Sequence, residues 1–114
     1  MGPDDPVTTN QIYHVYILAS KKNGTLYIGV TSNLVKRTWQ HKNELTDGFT
    51  KKYGVKNLVC YEQYNDPQKA IKREKRLKKY NRKWKLDLIE RHNPHWEDLY
   101  YRLIDSGFPG LTGE

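Results

Sequence analysis

The stretch HVYILASKKNGTLYIGVTSNLVKRTWQH, residues 14–41, decides the fold of this 114-residue chain. Two runs rich in β-branched and aromatic residues, 15–18 and 26–31, flank the dipeptide Asn23-Gly24. An Asn-Gly pair between two such runs favours a two-residue type I′ turn. The sequence therefore predicts an N-terminal β-hairpin.

The two faces of this hairpin follow from its register. With Asn23 and Gly24 as the loop, Leu18 lies opposite Gly29, and alternate side chains point to opposite faces. One face is apolar and is expected to pack in the core: Ile17, Ala19, Leu26, Ile28 and Val30. The other face carries Tyr16, Leu18, Tyr27, Gly29 and Thr31. This second face has two interpretations: a ligand approaches at the strand glycine, or tyrosine is simply a good strand residue.

Composition limits the class of protein. A chain of this length forms one domain, which we expect at residues 12–104, between a flexible leader at 1–11 and a flexible tail at 105–114. The single cysteine, Cys60, excludes an internal disulfide framework and fits a reducing compartment. No apolar run has the length of a membrane span, and the N-terminus lacks a signal-peptide pattern. A cytoplasmic protein without a membrane partner is expected.

The positive charge of the chain is concentrated in one segment. The formal net charge is +7, and residues 66–85 contain ten Lys or Arg against two acids. That segment holds +8, so the rest of the chain sums to −1. A localised cationic surface is typical of nucleic-acid binders, but it is also typical of a solvated lysine-rich helix face. Charge alone does not separate the two.

A helix is predicted to follow the hairpin. Thr31 or Ser32 is expected as its N-cap, and the helix should end near Lys42. Arg37 and His41 stand at i and i+4, so a cation and an imidazole project side by side. The inward stripe of this helix is expected to be Leu34, Val35, Thr38 and Trp39.

Two further segments precede the basic region. Residues 44–54 contain turn-forming residues and are expected to be a polar loop. Residues 57–64 alternate as a third strand. Strict alternation places Leu58 and Cys60 on one face and Val59 on the other.

The basic helix carries one acidic residue on its apolar side. Asp66-Pro67 is a good helix start, with the aspartate as N-cap, and the helix should end near Tyr80. Its inward stripe includes Ala70, Ile71, Glu74 and Leu77. A carboxylate there is costly unless it is paired or binds a metal. A salt bridge to a cation such as Arg37 and a site for a hard cation such as Mg²⁺ both stay open.

The C-terminal part of the domain is predicted to be helical. A helix at residues 82–92 presents Trp84, Leu88 and Ile89 and is broken by Asn93-Pro94. Beyond it, four residues at helical spacing are expected in the core: Trp96, Leu99, Tyr100 and Leu103. The expected fold class is α/β (α+β): a small three-stranded antiparallel sheet with an N-terminal hairpin, flanked by about four helices.

Taken together, these motifs resemble the GIY-YIG nuclease superfamily. The first signature stands here as Val15-Tyr16-Ile17 and the second as Tyr27-Ile28-Gly29, followed by Arg37, His41 and Glu74 in the order and spacing of the family. The chain looks like a small stand-alone domain of this superfamily and is similar to the N-terminal incision module of UvrC. The resemblance covers roughly residues 14–99.

The resemblance implies phosphodiester hydrolysis in DNA by a metal-dependent endonuclease. Tyr27 would help to activate the attacking water, with Tyr16 assisting beside it. Arg37 would hold the scissile phosphate, and His41 would have a supporting acid–base or orienting role. Glu74 would bind a single divalent ion, Mg²⁺ or Mn²⁺.

The resemblance also bears on partners and substrate. DNA is the expected partner, RNA is left open, and a monomer is favoured. The residues expected to contact nucleic acid are Lys69, Lys72, Arg73, Arg76, Lys79, Arg82 and Lys83. Cleavage would be structure-selective or weakly sequence-specific, in DNA repair or recombination. Excision-repair relatives have a lysine where this chain has Val30, and the alternative function is a catalytically weak or inactive nucleic-acid-binding module of the same fold.

Overall fold

A computed structural model describes residues 11–46 and 48–106 of the chain. Within that part, three strands form one antiparallel sheet: β1 (Tyr13–Ala19), β2 (Leu26–Thr31) and β3 (Asn57–Tyr64). The strand order is β2-β1-β3, so β1 is central. The helices of the described part are α1 (Leu34–Lys42), α2 (Phe49–Tyr53), α3 (Pro67–Lys79), α4 (Arg82–His92) and α5 (Tyr100–Asp105). This confirms the predicted fold class, with α2 as a fifth helix where a polar loop was expected. The predicted flexible leader and tail fall almost entirely outside the described residues.

The hairpin forms, but its predicted register is wrong by two residues. Tyr16 pairs with Gly29, and Leu18 pairs with Tyr27. Ser20 donates its N–H to the Thr25 carbonyl at 3.0 Å, so the loop between them has four residues rather than two, and its Asn23 is left-handed, with φ of 59°. A shift of two residues preserves the side-chain alternation, because the period of a strand is two. The predicted composition of the two faces is therefore confirmed.

The third strand contains an irregularity that its sequence pattern does not indicate. Ile17 pairs with Cys60, whereas the adjacent Leu18 pairs with Leu58, so Val59 is an extra residue in β3. Such a bulge interrupts the alternation of a strand. The prediction that Leu58 and Cys60 share a face is therefore wrong: the two belong to core clusters on opposite sides of the sheet.

Both faces of the sheet are covered, which makes it the middle layer of the molecule. On one face, α3 and α4 pack through Ala70, Leu77, Leu88 and Ile89. On the other face, α1 and α5 cover Tyr16 and Leu18. Leu18 is fully buried and Tyr16 is 2% exposed. The tyrosine-bearing face is therefore part of a second apolar core as well as of the site described below.

The helix starts follow local sequence chemistry to different degrees. Asp66 caps α3 as predicted, accepting a bond from the Gln68 N–H at 2.9 Å. In α1 the predicted caps are wrong: Asn33 is the N-cap and accepts from the Lys36 N–H at 3.1 Å. Thr31 instead uses its hydroxyl to accept from the N–H of Asn33.

Several aromatic or apolar residues expected to face inward are exposed. Trp39 is 47% exposed and His41 occupies the inward position in α1 that Trp39 was expected to fill. Ile71 in α3 is 37% exposed and Trp84 in α4 is 56% exposed. Helix α1 therefore presents a histidine rather than a tryptophan to the sheet.

The segment before α5 is not helical, contrary to its i, i+3 spacing. Leu99 donates its N–H to the Leu58 carbonyl in β3, and Asp98 accepts the Leu58 N–H. Trp96 has a φ of 55° and joins the core on the α3 side, whereas Tyr100 lies in the core on the α1 side. The prediction that these aromatic residues are buried is confirmed. No helix of the described residues is long and apolar enough to cross a membrane.

Candidate active site

Three aromatic rings meet on the face of the sheet that α1 covers. The ring centroids of Tyr16 and Tyr27 are 6.3 Å apart, and that of His41 lies 6.2 Å from Tyr16 and 5.5 Å from Tyr27. The tyrosines come from adjacent strands, and His41 from the last turn of α1. We call these three residues the ring cluster. Tyr16 and His41 are buried, whereas Tyr27 is half-buried, so Tyr27 is the member that solvent reaches.

Gly29 is the residue that lets the ring of Tyr16 lie flat across the hairpin. A Cβ placed on Gly29 would stand 2.5 Å from the Tyr16 hydroxyl oxygen and 2.7 Å from its Cζ. Those distances are far inside van der Waals contact, so only glycine fits under the ring. The strand glycine thus accommodates a neighbouring side chain of the same protein.

The environment of Tyr16 keeps its hydroxyl protonated. Burial raises the pKa of Tyr16 well above its ordinary value, and the nearby Tyr27 raises it further. Arg37 opposes the rise and Glu74 adds to it, which places both charges within electrostatic range of this phenol. Tyr16 therefore acts as a hydrogen-bond donor at neutral pH.

His41 links the ring cluster to two threonines. Its Nε2 lies 3.5 Å from the Tyr16 hydroxyl, and its Nδ1 lies 3.1 Å from Thr50 Oγ1 and 3.2 Å from Thr46 Oγ1. Burial first, and then the charge of Arg37, lowers the pKa of His41 below 6.5. The imidazole is therefore neutral at neutral pH, and a hydroxyl that donates to Nε2 leaves Nδ1 to carry the proton. Sequence reasoning missed both threonines, since a threonine in a polar segment carries no signal of its own.

Arg37 stands at the rim of the site with its side chain exposed. Among the residues that the structure describes, it forms no ion pair, and its charge acts on both Tyr16 and His41. The salt bridge between Arg37 and Glu74 that the sequence left open is not formed. An exposed guanidinium with no acidic partner is well suited to bind a phosphate.

Glu74 is the acidic residue that the sequence predicted for the site, and its charge acts on the Tyr16 phenol. Its side chain is 13% exposed, and its Oε2 lies 2.7 Å from the Nζ of Lys78, which is 54% exposed. No group of three or more His, Cys, Asp or Glu side chains suited to hold a metal occurs in the described part of the chain. Mg²⁺ typically needs only one or two carboxylates when waters and substrate phosphates complete its shell. The single carboxylate of Glu74 can supply one such ligand once the exposed Lys78 moves aside.

The residues predicted to bind nucleic acid fall into two groups. Three of them are engaged within the protein. Arg73 forms a two-pronged pair with Glu62 at 2.8 and 2.9 Å. Arg82 donates to the carbonyls of the hairpin loop, and Lys83 pairs with its helix neighbour Asp87. The others are exposed along the outer side of α3: Lys69, Lys72, Arg76 and Lys79.

An exposed aromatic strip extends the ring cluster toward solvent. The ring of Phe49 in α2 lies 6.5 Å from that of Tyr27, and Tyr53 lies 4.9 Å from Phe49. Phe49 and Tyr53 are 46% and 48% exposed. Lys52 holds its Nζ 5.3 Å from the Tyr53 ring centroid. The sequence pattern did not indicate Phe49 as a neighbour of the site, because α2 was expected to be a loop.

Comparison with known proteins agrees with the geometry. Residues 12–87 match the family model described as the GIY-YIG catalytic domain. The chain belongs to the GIY-YIG family. The GIY-YIG fold is a nuclease fold, and the ring cluster contains the tyrosines of both signatures. The position after the second signature, Val30, packs against the apolar core.

Relatives of this GIY-YIG domain are small proteins as well. A UPF0213 protein of Clostridium perfringens is 40% identical over 76 residues, which cover 67% of this chain and 81% of that protein. A UPF0213 protein of Staphylococcus saprophyticus is 34% identical over 77 residues, covering 68% and 93%. The solution NMR structure of a UPF0213 protein from Bacillus halodurans has a TM-score of 0.49 at 25% identity and covers 76% of this chain and 92% of that one.

Proposed function

We propose that this protein is a metal-dependent DNA endonuclease that hydrolyses phosphodiester bonds. The observation that carries the proposal is the meeting of two signature tyrosines and His41 within 6.3 Å, with the charges of Arg37 and Glu74 acting on Tyr16. A basic and an acidic side chain therefore act electrostatically on a cluster of three protonatable rings. Such a combination is typical of hydrolytic sites.

Within the ring cluster, the tyrosines have different roles. Tyr27 is accessible and would contact the attacking water. Tyr16 is buried and protonated, so it is a positioning residue that donates its hydroxyl hydrogen toward His41. The one acceptor of the neutral His41 is Nε2, which faces the Tyr16 hydroxyl, and the threonine hydroxyls at Nδ1 fix the orientation of its ring. His41 would in this way hold the ring cluster in one arrangement as long as its imidazole stays neutral.

Arg37 and Glu74 would act on the phosphate from two sides. The exposed guanidinium of Arg37 would bind the non-bridging oxygens and stabilise the charge that develops on them. Glu74 would hold a divalent ion, Mg²⁺ or Mn²⁺, which when bound polarises the phosphate and lowers the pKa of coordinated water. The Nζ of Lys78 lies 2.7 Å from Oε2 of Glu74, so Lys78 would have to move aside before an ion could bind there.

The proposed substrate is DNA, cut with structural selectivity or weak sequence preference in repair or recombination. The exposed cations of α3 and the exposed Lys51 and Lys52 of α2 supply positive surface for such a substrate. We propose a monomer acting in the cytoplasm, as expected from the sequence.

A second candidate function is a nucleic-acid-binding module that has lost useful catalysis. The observation that favours it is Val30, which stands in the core-facing position where excision-repair relatives have a lysine.

The experiment compares cleavage by the natural protein and by Glu74→Gln, with Glu97→Gln as a matched control. Glu97 is an exposed carboxylate paired with Arg102, away from the ring cluster. Nicked, branched and plain duplex DNA are incubated with Mg²⁺ or Mn²⁺. We expect cleavage that requires the ion, falls at least about a hundredfold in Glu74→Gln and is unchanged in Glu97→Gln. Cleavage that survives in Glu74→Gln would contradict the site, and salt-sensitive binding without cleavage would support the second function.

A further inference from the structure

A concave surface lies at the junction of α3 and α4, apart from the ring cluster. Four cations of α3 and two aromatic residues line it: Lys72, Lys75, Arg76, Lys79, Tyr80 and Trp84. We call it the Trp84 platform. It encloses about 510 Å³ and is open to solvent.

The tryptophan of this platform is exposed and yet held in place. Trp84 is 56% exposed, although an indole normally gains from burial. Its backbone N–H is bonded by the Asn81 side chain at 2.9 Å. Its ring meets that of Tyr80 edge-on, with centroids 5.3 Å apart and planes at 85°. The Tyr80 ring and the helix cap therefore support Trp84 while more than half of the residue stays exposed.

The cations beside it have no acidic partner in the part of the chain that the structure describes. Lys72, Arg76 and Lys79 lie on one stripe of α3, at i, i+4 and i+7. Acids of α3 and its neighbouring elements pair with other cations: Glu62 with Arg73, Glu74 with Lys78, and Asp87 with Lys83. The positive charge at the Trp84 platform is therefore uncompensated, and it favours a polyanion.

The cations and the exposed indole of the platform together favour one kind of polyanion. A duplex presents phosphates to a cationic helix, but its base faces are stacked on each other and unavailable to an indole. An unpaired nucleotide offers both a phosphate and a free base face, and stacking on aromatic residues beside cations is typical of single-strand binding. We propose that the Trp84 platform binds unpaired nucleotides of single-stranded nucleic acid, with a base stacked on Trp84 and the backbone held by Lys72, Arg76 and Lys79.

The platform is separate from the candidate active site. Glu74 and Arg76 point about 200° apart around the axis of α3, so the cations of the platform and the acidic residue of the site lie on different sides of one helix. This step rests on the proposed function. The arrangement lets the protein hold a single-stranded arm of the DNA substrate at the platform while the DNA is cut at the active site. The protein would therefore prefer branched or flapped DNA, which has such an arm, over plain duplex DNA.

The test measures binding without cleavage, in EDTA, by tryptophan fluorescence and by anisotropy of a labelled oligothymidylate. A duplex of equal length and polyglutamate are the comparison ligands. The variants are Trp84→Leu and, as matched control, Trp39→Leu, which removes another exposed tryptophan at 47% exposure. We expect the oligothymidylate to quench emission, and Trp84→Leu to lose the quenching and weaken single-strand binding about tenfold. Trp39→Leu should do neither.

Three results would overturn the inference: equal affinity in Trp84→Leu, equal weakening in Trp39→Leu, or quenching by polyglutamate comparable to that by oligothymidylate. Lys72→Ala combined with Arg76→Ala keeps the test informative, because it should reduce the salt dependence of binding while the indole stays in place. Glu74→Gln should bind the single strand normally. Failure of the platform and failure of the proposed nuclease activity are therefore distinguished.

Discussion

Replacement of Gly29 by alanine should damage both stability and activity through Tyr16. The added Cβ would stand 2.5 Å from the Tyr16 hydroxyl oxygen and 2.7 Å from Cζ, where ordinary contact begins at 3.4 Å. The ring must therefore rise by about 1 Å from the sheet. Tyr16 is 2% exposed, so its movement pushes against α1 and disturbs the bond to His41.

The size of the effect follows from the tightness of this packing. Overpacking a core by one methyl costs about 1–3 kcal/mol when neighbours cannot yield. For a domain of this size each kcal/mol corresponds to a fall of about 4–8 °C in Tm. A displacement of about 1 Å in a catalytic arrangement can also cost about a hundredfold in rate. The loss of activity should therefore exceed what partial unfolding explains.

A double-mutant cycle with Tyr16→Phe isolates the contact. Tyr16→Phe removes the hydroxyl oxygen that would stand 2.5 Å from the new Cβ, but the overlap between that Cβ and ring atom Cζ, at 2.7 Å, stays. Gly29→Ala should therefore destabilise the protein less in the Tyr16→Phe background. Urea unfolding followed by circular dichroism gives the free energy of each variant. Equal costs of Gly29→Ala in both backgrounds, or a variant as stable and active as the natural protein, would refute the packing argument.

Three further predictions concern charges. Lys78→Met should lower the Mg²⁺ concentration that half-saturates cleavage by up to about fivefold, since an exposed ion pair is worth about 1 kcal/mol or less; an increase would contradict competition for Glu74. Because burial and the charge of Arg37 lower the pKa of His41, the acidic limb of the pH–rate profile should lie below pH 6.5. An acidic limb above pH 6.5 would contradict a role for the neutral imidazole. Burial alone would raise the pKa of Glu62, but bonds from Arg73 and a tyrosine outweigh burial and lower it, so this carboxylate stabilises the fold above pH 4.5 and loses that contribution as pH falls further. Thermal unfolding across pH should show this loss in the natural protein and not in Glu62→Gln.

The family resemblance rested on features that are local in the chain. Alternation within 14–31 determined which side chains share a face, and a register error of two residues left that result intact. Asp66-Pro67 marked a helix start through the capping chemistry of two adjacent residues. The spacing of Arg37 and His41 placed both on one helix, and the resemblance to the family supplied the proposed members of the site.

Contacts distant in sequence decided the rest. The hairpin loop has four residues in a fold where Arg82, 58 residues beyond Gly24, donates to the Gly24 carbonyl. The β3 bulge shifts Leu58 to the face opposite Cys60, and the bonds of Leu58 to the segment before α5 hold that segment out of a helix. None of these pairings could be predicted from the hydrophobic periodicity of either segment.

Local patterns in the sequence were enough to predict the strands, the main helices and the faces of the hairpin, because each depends on neighbours within a few positions. The proposed site residues came from the resemblance to a known family. Only the tertiary structure decided that His41 rather than Trp39 turns inward, that Thr50 orients His41, that Lys78 rather than Arg37 pairs with Glu74, and that Trp84 stays outside. Those outcomes depend on which surface each helix meets, and helical periodicity specifies a face without specifying what will cover it.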